Sequence, residues 1–159
     1  MSAEFECNIE RVYDQFKKLS TQEMRRALRT GIRKGILMLR NQARKTFRSM
    51  FPSGAVRNVK YTDRLIDGIR ATKVKEHNSE MVGYVLATSN RRMGSGSYRL
   101  VFLEGGTVDR QTRKGYNRGR ITASYFFTSA IASNQLRYKS VVVNEIQKTI
   151  DKINQKNIH

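Results

Sequence analysis

Residues 98–131 read YRLVFLEGGTVDRQTRKGYNRGRITASYFFTSAI, and the rest of the chain is organised around this stretch. The run 98–103 is rich in β-branched, aromatic and apolar residues, which favours a half-buried strand. The pair Gly105-Gly106 tolerates backbone angles that other residues avoid, so we expect the strand to end sharply there. Glu104 would then be the last residue before the turn. A basic loop over 105–122 follows. It has too few apolar residues to build a core of its own.

That loop concentrates positive charge and is opposed only by Asp109. Long loops inside compact domains are usually functional, or become ordered when a partner binds. We therefore predict that the loop contacts a subunit or partner. The candidate contact residues are Arg110, Arg113, Lys114, Tyr116, Arg118 and Arg120.

Composition restricts the class of protein. The 159 residues suit one domain, 1–159, and the formal charge of +18 implies acidic partners such as nucleic acid, anionic membrane or acidic protein. One cysteine, Cys7, and two histidines, His77 and His159, give neither a disulfide nor a zinc pattern, so no metal or cofactor is expected. Folding inside the cell is the simplest interpretation. No apolar run is long enough to span a bilayer and residues 1–10 are not a signal peptide, so no membrane partner is expected.

Periodicity predicts an α+β fold in which a small antiparallel sheet packs against two long helices. The expected elements are an N-terminal strand and short helix over 3–19, a long helix over 21–50, a sheet over 61–104 and a C-terminal helix over 124–153 capped by Ser124. Within the sheet, residues 77–79 suit a hairpin connection.

The long helix has two features of interest. Gly31 and Gly35 lie on one face, which indicates close approach of another element; packing within the chain is favoured over a second subunit. The opposite face carries far more cations than acids. This basic helix face consists of Arg25, Arg26, Arg29, Arg33, Lys34, Arg40, Arg44, Lys45 and Arg48.

Each candidate also has a plainer structural interpretation. Glu104 has no second carboxylate, histidine or serine near it in a known catalytic arrangement, so a turn-stabilising hydrogen bond or an ion pair is favoured. Tyr125, Phe126 and Phe127 could stack on bases, but beside an apolar stripe they are expected in the core. No glycine-rich stretch is followed by the Gly-Lys-Ser/Thr pattern of a nucleotide site.

Four stretches, taken in order, resemble the tail-completion or head-tail joining (neck) proteins of tailed double-stranded-DNA bacteriophages. That family has a basic helix ending near a proline, a Thr-Gly-Arg-Leu-x-x-Ser-Ile stretch, an aromatic-apolar-Glu-x-Gly-Thr corner and a Pro-Phe-x-x-Pro-Ala helix start. Pro52 matches the first stretch, while Tyr125 and Ser129 stand where the family has prolines. The other matching residues are Thr62, Arg64, Leu65, Ile69, Phe102, Leu103, Glu104, Gly106, Thr107, Phe126 and Ala130.

The resemblance implies a structural virion protein rather than an enzyme. Such proteins form a ring that joins the head connector to the tail and continues the DNA channel. It implies a homo-oligomeric ring, six-fold or alternatively twelve-fold, that contacts the head connector or adaptor and tail tube or tail terminator proteins. The expected location is the virion neck, and the host cytoplasm before assembly. Because a ring uses head-to-tail interfaces, we expect the basic loop to reach a neighbouring subunit or an adjacent ring.

The basic helix face leaves the acidic partner open. Nucleic acid is one candidate, since neutralised phosphates release counterions. A channel wall with this charge would retain passing DNA, so acidic surfaces of neighbouring proteins are favoured and contact with genomic DNA is expected to be transient. The alternative function is a free basic nucleic-acid-binding protein. A nuclease is disfavoured, because the chain lacks a carboxylate or histidine cluster suited to a metal.

Overall fold

Helix α1, Thr21–Met50, has the bounds that its apolar periodicity predicted. The structure is a computed structural model that describes residues 12–52, 65–78, 80–87 and 99–156. A capping box starts the helix: the Ser20 backbone N–H donates to the Glu23 carboxylate at 2.9 Å, and the Ser20 hydroxyl donates to the same oxygen at 2.8 Å.

The other elements confirm an α+β fold with small antiparallel sheets. They are strands β1 (Ile69–Ala71), β2 (Lys75–His77), β3 (Glu80–Val82) and β4 (Val85–Ala87), helix α2 (Arg99–Gly105), strands β5 (Arg110–Gln111) and β6 (Asn117–Gly119), and helices α3 (Phe126–Ala132) and α4 (Gln135–Lys156).

The strand predicted over 98–103 is wrong, because the described part of this run is helix α2. Leu100 is fully buried and Leu103 packs against the same core. The two leucines are three residues apart, so a helix places both on one face, whereas a strand would place them on opposite faces. A short apolar run does not by itself distinguish these two structures.

The prediction of a single sheet over 61–104 is also wrong. The described strands form three separate two-stranded sheets, and β1 pairs antiparallel with β4 while β2 pairs with β3. The β2–β3 connection confirms the hairpin predicted around 77–79, and Asn78 takes the left-handed conformation, with φ 48°. Sheets this small depend on packing against helices.

The C-terminal helix predicted over 124–153 is broken into α3 and α4. Ser133 donates its hydroxyl to the Ser129 carbonyl at 2.7 Å, and the Asn134 side-chain amide donates to the Ala130 carbonyl at 2.9 Å. Side chains that bond to the preceding turn in this way compete with a continuing helix. The predicted cap at Ser124 is wrong as well, because the N-cap residue of α3 is Tyr125, whose own side chain makes no capping bond.

Contacts divide the chain into two compact units. Unit 1 comprises Met1–Met38, Thr72–Tyr84 and Gln135–His159, and unit 2 comprises Leu39–Ala71 and Val85–Asn134. Helix α1 contributes residues to both.

In unit 1 the two long helices pack together at the glycine pair of α1. A Cβ atom placed on Gly31 would lie 2.7 Å from Ile146 Cγ1, and one on Gly35 would lie 2.5 Å from Tyr138 Cε2. This confirms the prediction that Gly31 and Gly35 pack within the chain. Burial here raises the pKa of the Tyr138 hydroxyl. A short helix over residues 12–17 covers the same core through Val12, whereas the strand predicted before it lies outside the described residues.

Unit 2 has its own core, in which aromatic rings from α1 and α3 meet. The Phe47 and Phe126 ring centroids are 5.2 Å apart, nearly edge to face, and both side chains are fully buried. Leu65, Ile69 and Leu100 complete the centre of this cluster. The core therefore brings α1, β1, α2 and α3 to one place, from which residues 106–123 extend.

Candidate partner-binding hairpin

The loop predicted over 105–122 contains a short hairpin, here called the basic hairpin (residues 108–120). Strands β5 and β6 pair antiparallel with a register irregularity at Arg110/Gln111. At the tip the Gly115 N–H donates to the Thr112 carbonyl at 2.9 Å, and Gly115 has φ +80°. The Tyr116 N–H donates to the Thr112 hydroxyl at 3.0 Å. The loop thus has a defined backbone without a core of its own.

The hairpin is exposed along its length. Val108 is 82% exposed and Tyr116 is 70% exposed. All six candidate contact residues lie on it with exposed side chains. Within the described part of the chain, none of its five cations forms an ion pair. Cations that form no ion pair, beside an exposed tyrosine and valine, suit a partner that offers both negative charge and apolar surface.

The base of the hairpin is closed by hydrogen bonds between its two ends. The Thr107 N–H donates to the Ile121 carbonyl, and the Ile121 N–H donates to the Thr107 hydroxyl, both at 2.9 Å. Gly106 has φ +73°, and a Cβ atom there would lie 2.8 Å from the Ile121 carbonyl oxygen. Only glycine fits this position without strain. The two ends of the hairpin are therefore joined to each other at its base.

Glu104 caps helix α3 from helix α2. Its carboxylate accepts the Phe127 N–H at 2.8 Å, the Thr128 N–H at 2.9 Å and the Thr128 hydroxyl at 2.6 Å. An acidic group bonded to free N–H groups at a helix start stabilises the helix. These bonds support the structural interpretation of Glu104, although the carboxylate stabilises a distant helix rather than its own turn.

Replacing Glu104 by alanine should lower the free energy of unfolding by about 2 kcal/mol, because the first turn of α3 loses a charged cap. Chemical denaturation followed by circular dichroism measures the change. Asp109→Ala is the matched control, since it removes an exposed acid from the same region and should change stability by less than about 0.5 kcal/mol. Equal effects of the two substitutions would contradict the capping role.

An open groove of about 750 Å³ lies at the hairpin base. It is lined by residues 105–109 and 120–123, of which Asp109 and Arg120 are charged. Among the described residues no group of three or more His, Cys, Asp or Glu side chains could hold a metal. The groove thus carries one charged residue of each sign.

The residues that carry the family resemblance fall into distinct places. Five lie in or against the core of unit 2: Leu65, Ile69, Leu103, Phe126 and Ala130. Glu104, Gly106 and Thr107 build the root of the hairpin, and Phe102 is 41% exposed. Thr62 and Arg64 lie outside the described residues. Most of the described motif residues thus lie in the core of unit 2 or where the chain leaves it to enter the hairpin.

Of the three aromatic residues at the start of α3, two pack in the core and one is exposed. Phe126 is fully buried and Phe127 packs against the core, as predicted. The core prediction is wrong for Tyr125, which is 58% exposed and has φ 48°. It occupies the N-cap position, where the chain turns away from the core before the helix begins.

The basic helix face is less uniform than its sequence indicates. Arg25 forms an ion pair with Glu76 at 3.1 Å. Arg44 is half-buried and donates from Nε to the Ile69 carbonyl at 3.0 Å; burial, followed by the charge of Arg40, lowers its pKa. Arg44 therefore holds β1 in place. The other exposed members of the face are Arg26, Arg29, Arg33, Lys34, Lys45 and Arg48.

Sequence reasoning missed the hairpin and the cap. The signal for the hairpin was a glycine at its tip, Gly115, and a second one in β6, Gly119, which has φ +68° and whose N–H donates to the Asn117 side chain at 2.6 Å. The cap gave no signal, since Glu104 and Thr128 are far apart in the chain.

No helix in the described ranges is both long and apolar enough to cross a bilayer. Models of protein families, curated proteins and solved structures were compared with this chain, and none of them matches it.

Proposed function

We propose that this protein is a structural component of the bacteriophage neck, forming a ring that joins the head connector to the tail and continues the DNA channel. The observation that carries the proposal is the basic hairpin, an exposed cationic element held at both ends by the corner motif that resembles the neck family. The protein acts in the virion neck and resides in the host cytoplasm before assembly.

The geometry suits a ring contact. A ring of more than two copies joins two different surfaces of each subunit, and a projecting element can supply one of them. The hairpin projects from residues 106 and 107, and its root is stabilised by the Glu104 cap and the core below it. An element that binds through its exposed side chains gains from such a rigid root, because less freedom is lost on binding.

Charge determines the kind of receiving surface. Copies with a net charge of +18 repel one another unless acidic groups lie at the interface. We therefore place the hairpin cations against acidic patches of the neighbouring subunit, the head connector or adaptor, or the tail tube or terminator proteins. Genomic DNA is a transient contact. The role requires no catalysis and no cofactor.

Particle assembly tests the proposal. In a phage deleted for this gene and complemented in trans, charge reversal at the hairpin (Arg110→Glu, Arg113→Glu, Arg118→Glu) should leave heads and tails unjoined in electron micrographs. Glutamates at these positions would repel the acidic surface that the proposal puts opposite the hairpin. The control, Lys18→Glu, Arg137→Glu, Lys139→Glu, makes the same charge change at exposed positions and should assemble normally.

Normal particles from the hairpin variant would refute the interface. Absence of the wild-type protein from purified particles would refute the neck role altogether. That second result, together with tight DNA binding by the isolated protein, would favour the free nucleic-acid-binding alternative, which the exposed cations of α1 also suit.

A further inference from the structure

A second cationic feature lies in unit 1, away from the hairpin in sequence. A groove of about 200 Å³ is lined by Arg26 and Thr30 from α1 and by Thr149, Lys152, Ile153 and Lys156 from α4. We propose that this groove binds phosphate groups of a nucleic-acid backbone. The inference is independent of the neck role and of the hairpin contact.

The groove brings three cations from two helices to one place. Arg26, Lys152 and Lys156 are exposed at its rim, while Ile153 is buried at its floor, only 7% exposed. A guanidinium supplies a planar fork of donors and each ammonium a compact charge, the combination that holds phosphate oxygens. The volume is large enough to admit a phosphate group.

The acids nearest in sequence on α4 bond to side chains other than these cations. Glu145 pairs with Lys148 at 3.0 Å, and Asp151 accepts the Gln147 side-chain amide at 2.7 Å. Within the described residues, Arg26, Lys152 and Lys156 form no ion pair. The groove therefore retains its positive charge.

The hydroxyls of the groove already bond within their own helices. Thr30 donates to the Arg26 carbonyl at 2.9 Å, and Thr149 donates to the Glu145 carbonyl at 2.8 Å. These bonds use the hydroxyl protons, so neither threonine has a spare donor for an anion. Recognition thus depends on the three cations, which is why the test removes them and leaves both threonines.

Helix stability explains only part of the arrangement. A cation in the last turn of a helix is stabilised by the helix dipole, which accounts for Lys156. That effect falls off within a turn and does not account for Lys152, or for Arg26 in the first part of α1. The convergence of all three residues on one groove is what points to an anion.

The pattern of charge favours a polyanion over a single carboxylate. One carboxylate would neutralise one of three cations, whereas a nucleic-acid strand presents a charge about every 3.4 Å along its axis. Arg29 and Arg33 continue the cationic track along α1, about 4.5 Å and 10.5 Å beyond Arg26 at the usual helical rise. A phosphate seated in the groove would have neighbours within reach of this track.

The salt dependence of DNA binding tests the proposal. Fluorescence anisotropy of a labelled 20-base-pair duplex (about two helical turns) gives the binding constant of the full-length protein over a series of NaCl concentrations. Each neutralised phosphate adds about 0.9 to the slope of log K against log salt. The variant Arg26→Gln, Lys152→Gln, Lys156→Gln should lower the magnitude of this slope by about 2 to 3 and weaken binding at least about tenfold at low salt.

The matched control is Lys18→Gln, Arg137→Gln, Lys139→Gln. It removes one arginine and two lysines, all exposed and none of them lining the groove. Its slope should change by less than about 1. Circular dichroism melts should show that both triple variants stay folded, and the single variant Arg26→Lys, which keeps the charge, should retain the wild-type slope while binding a few-fold more weakly.

Two results would overturn the inference. Equal slopes for the groove and control variants would show that the groove contacts no phosphate. If the groove variant lost binding of inorganic pyrophosphate, measured by calorimetry, but bound DNA with the wild-type slope, the groove would be a site for free phosphates and the assignment to nucleic acid would be wrong.

Discussion

Valine in place of Gly31 should lower the free energy of unfolding by about 3 kcal/mol, among the largest effects of a single substitution in this chain. A Cβ atom at this position would lie 2.9 Å from the backbone oxygen of Val142 and 2.7 Å from Ile146 Cγ1. The side chain of Ile146 can change its rotamer, but the backbone oxygen can move only if α4 moves. The gain in helix propensity over glycine, at most about 1 kcal/mol, does not offset this overlap.

Urea denaturation followed by circular dichroism measures the loss. The control is Lys34→Val, an exposed position on the same helix, which should change stability by less than about 0.5 kcal/mol. Gly35→Val should also destabilise the protein, but by less than Gly31→Val, because its overlaps are with the side chains of Tyr138 and Val142. If Gly31→Val were as stable as wild type, the packing of the two long helices at this point would be wrong.

Alanine in place of Gly106 should also cost about 3 kcal/mol, from two sources. The left-handed backbone, φ +73°, is unfavourable for a residue with a Cβ atom. The new atom would also lie 2.8 Å from the Ile121 carbonyl oxygen and 2.9 Å from the Ala123 nitrogen, both of them backbone atoms. Relief requires the two ends of the hairpin to separate.

The adjacent residue supplies the control for this prediction. A Cβ atom added at Gly105 would have no neighbouring atom within 4 Å, and the φ of Gly105 is not positive. Gly105→Ala should leave stability unchanged or raise it by up to about 1 kcal/mol. Hydrogen exchange of the Thr107 and Ile121 amides should accelerate in Gly106→Ala alone. Equal behaviour of the two variants would contradict the closed root of the hairpin.

The sequence was sufficient where a single periodic signal extended over many residues. Helix α1 has apolar positions every three or four residues for its full length, and a Ser20–Glu23 capping box at its start, so both bounds were predictable. The glycines at positions 31 and 35 carried a cost that only close packing explains, which pointed to a neighbouring helix or sheet.

Prediction failed where tertiary contacts decide the outcome. The apolar run before Glu104 is too short to distinguish a strand from a helix, and the burial of Leu100 and Leu103 on one core decides in favour of α2. Two separate two-stranded sheets stand where one sheet was predicted over 61–104, and each of their strands is only three residues long. The break at Ser133 and Asn134 was visible as two helix-competing residues, yet the apolar pattern on both sides concealed it.

The sequence predicted which residues form the basic hairpin, but not the backbone conformation that they adopt. Five of the six contact residues were identified from their charge, and all six, including Tyr116, lie on the hairpin. Its backbone bonds depend on Thr107, Thr112 and Asn117, polar residues that are common in any loop. The role of Glu104 required knowledge of which helix start lies beside it.

The doubly bonded root of the hairpin has a mechanical consequence. Because the Thr107 and Ile121 backbones are joined to each other, a load applied at the tip pulls on both strands together rather than bending one of them. The load then passes through α2 and α3 to the ring pair Phe47 and Phe126, which is fully buried in the core of unit 2. A force applied at the tip would therefore reach this core through both strands rather than through one.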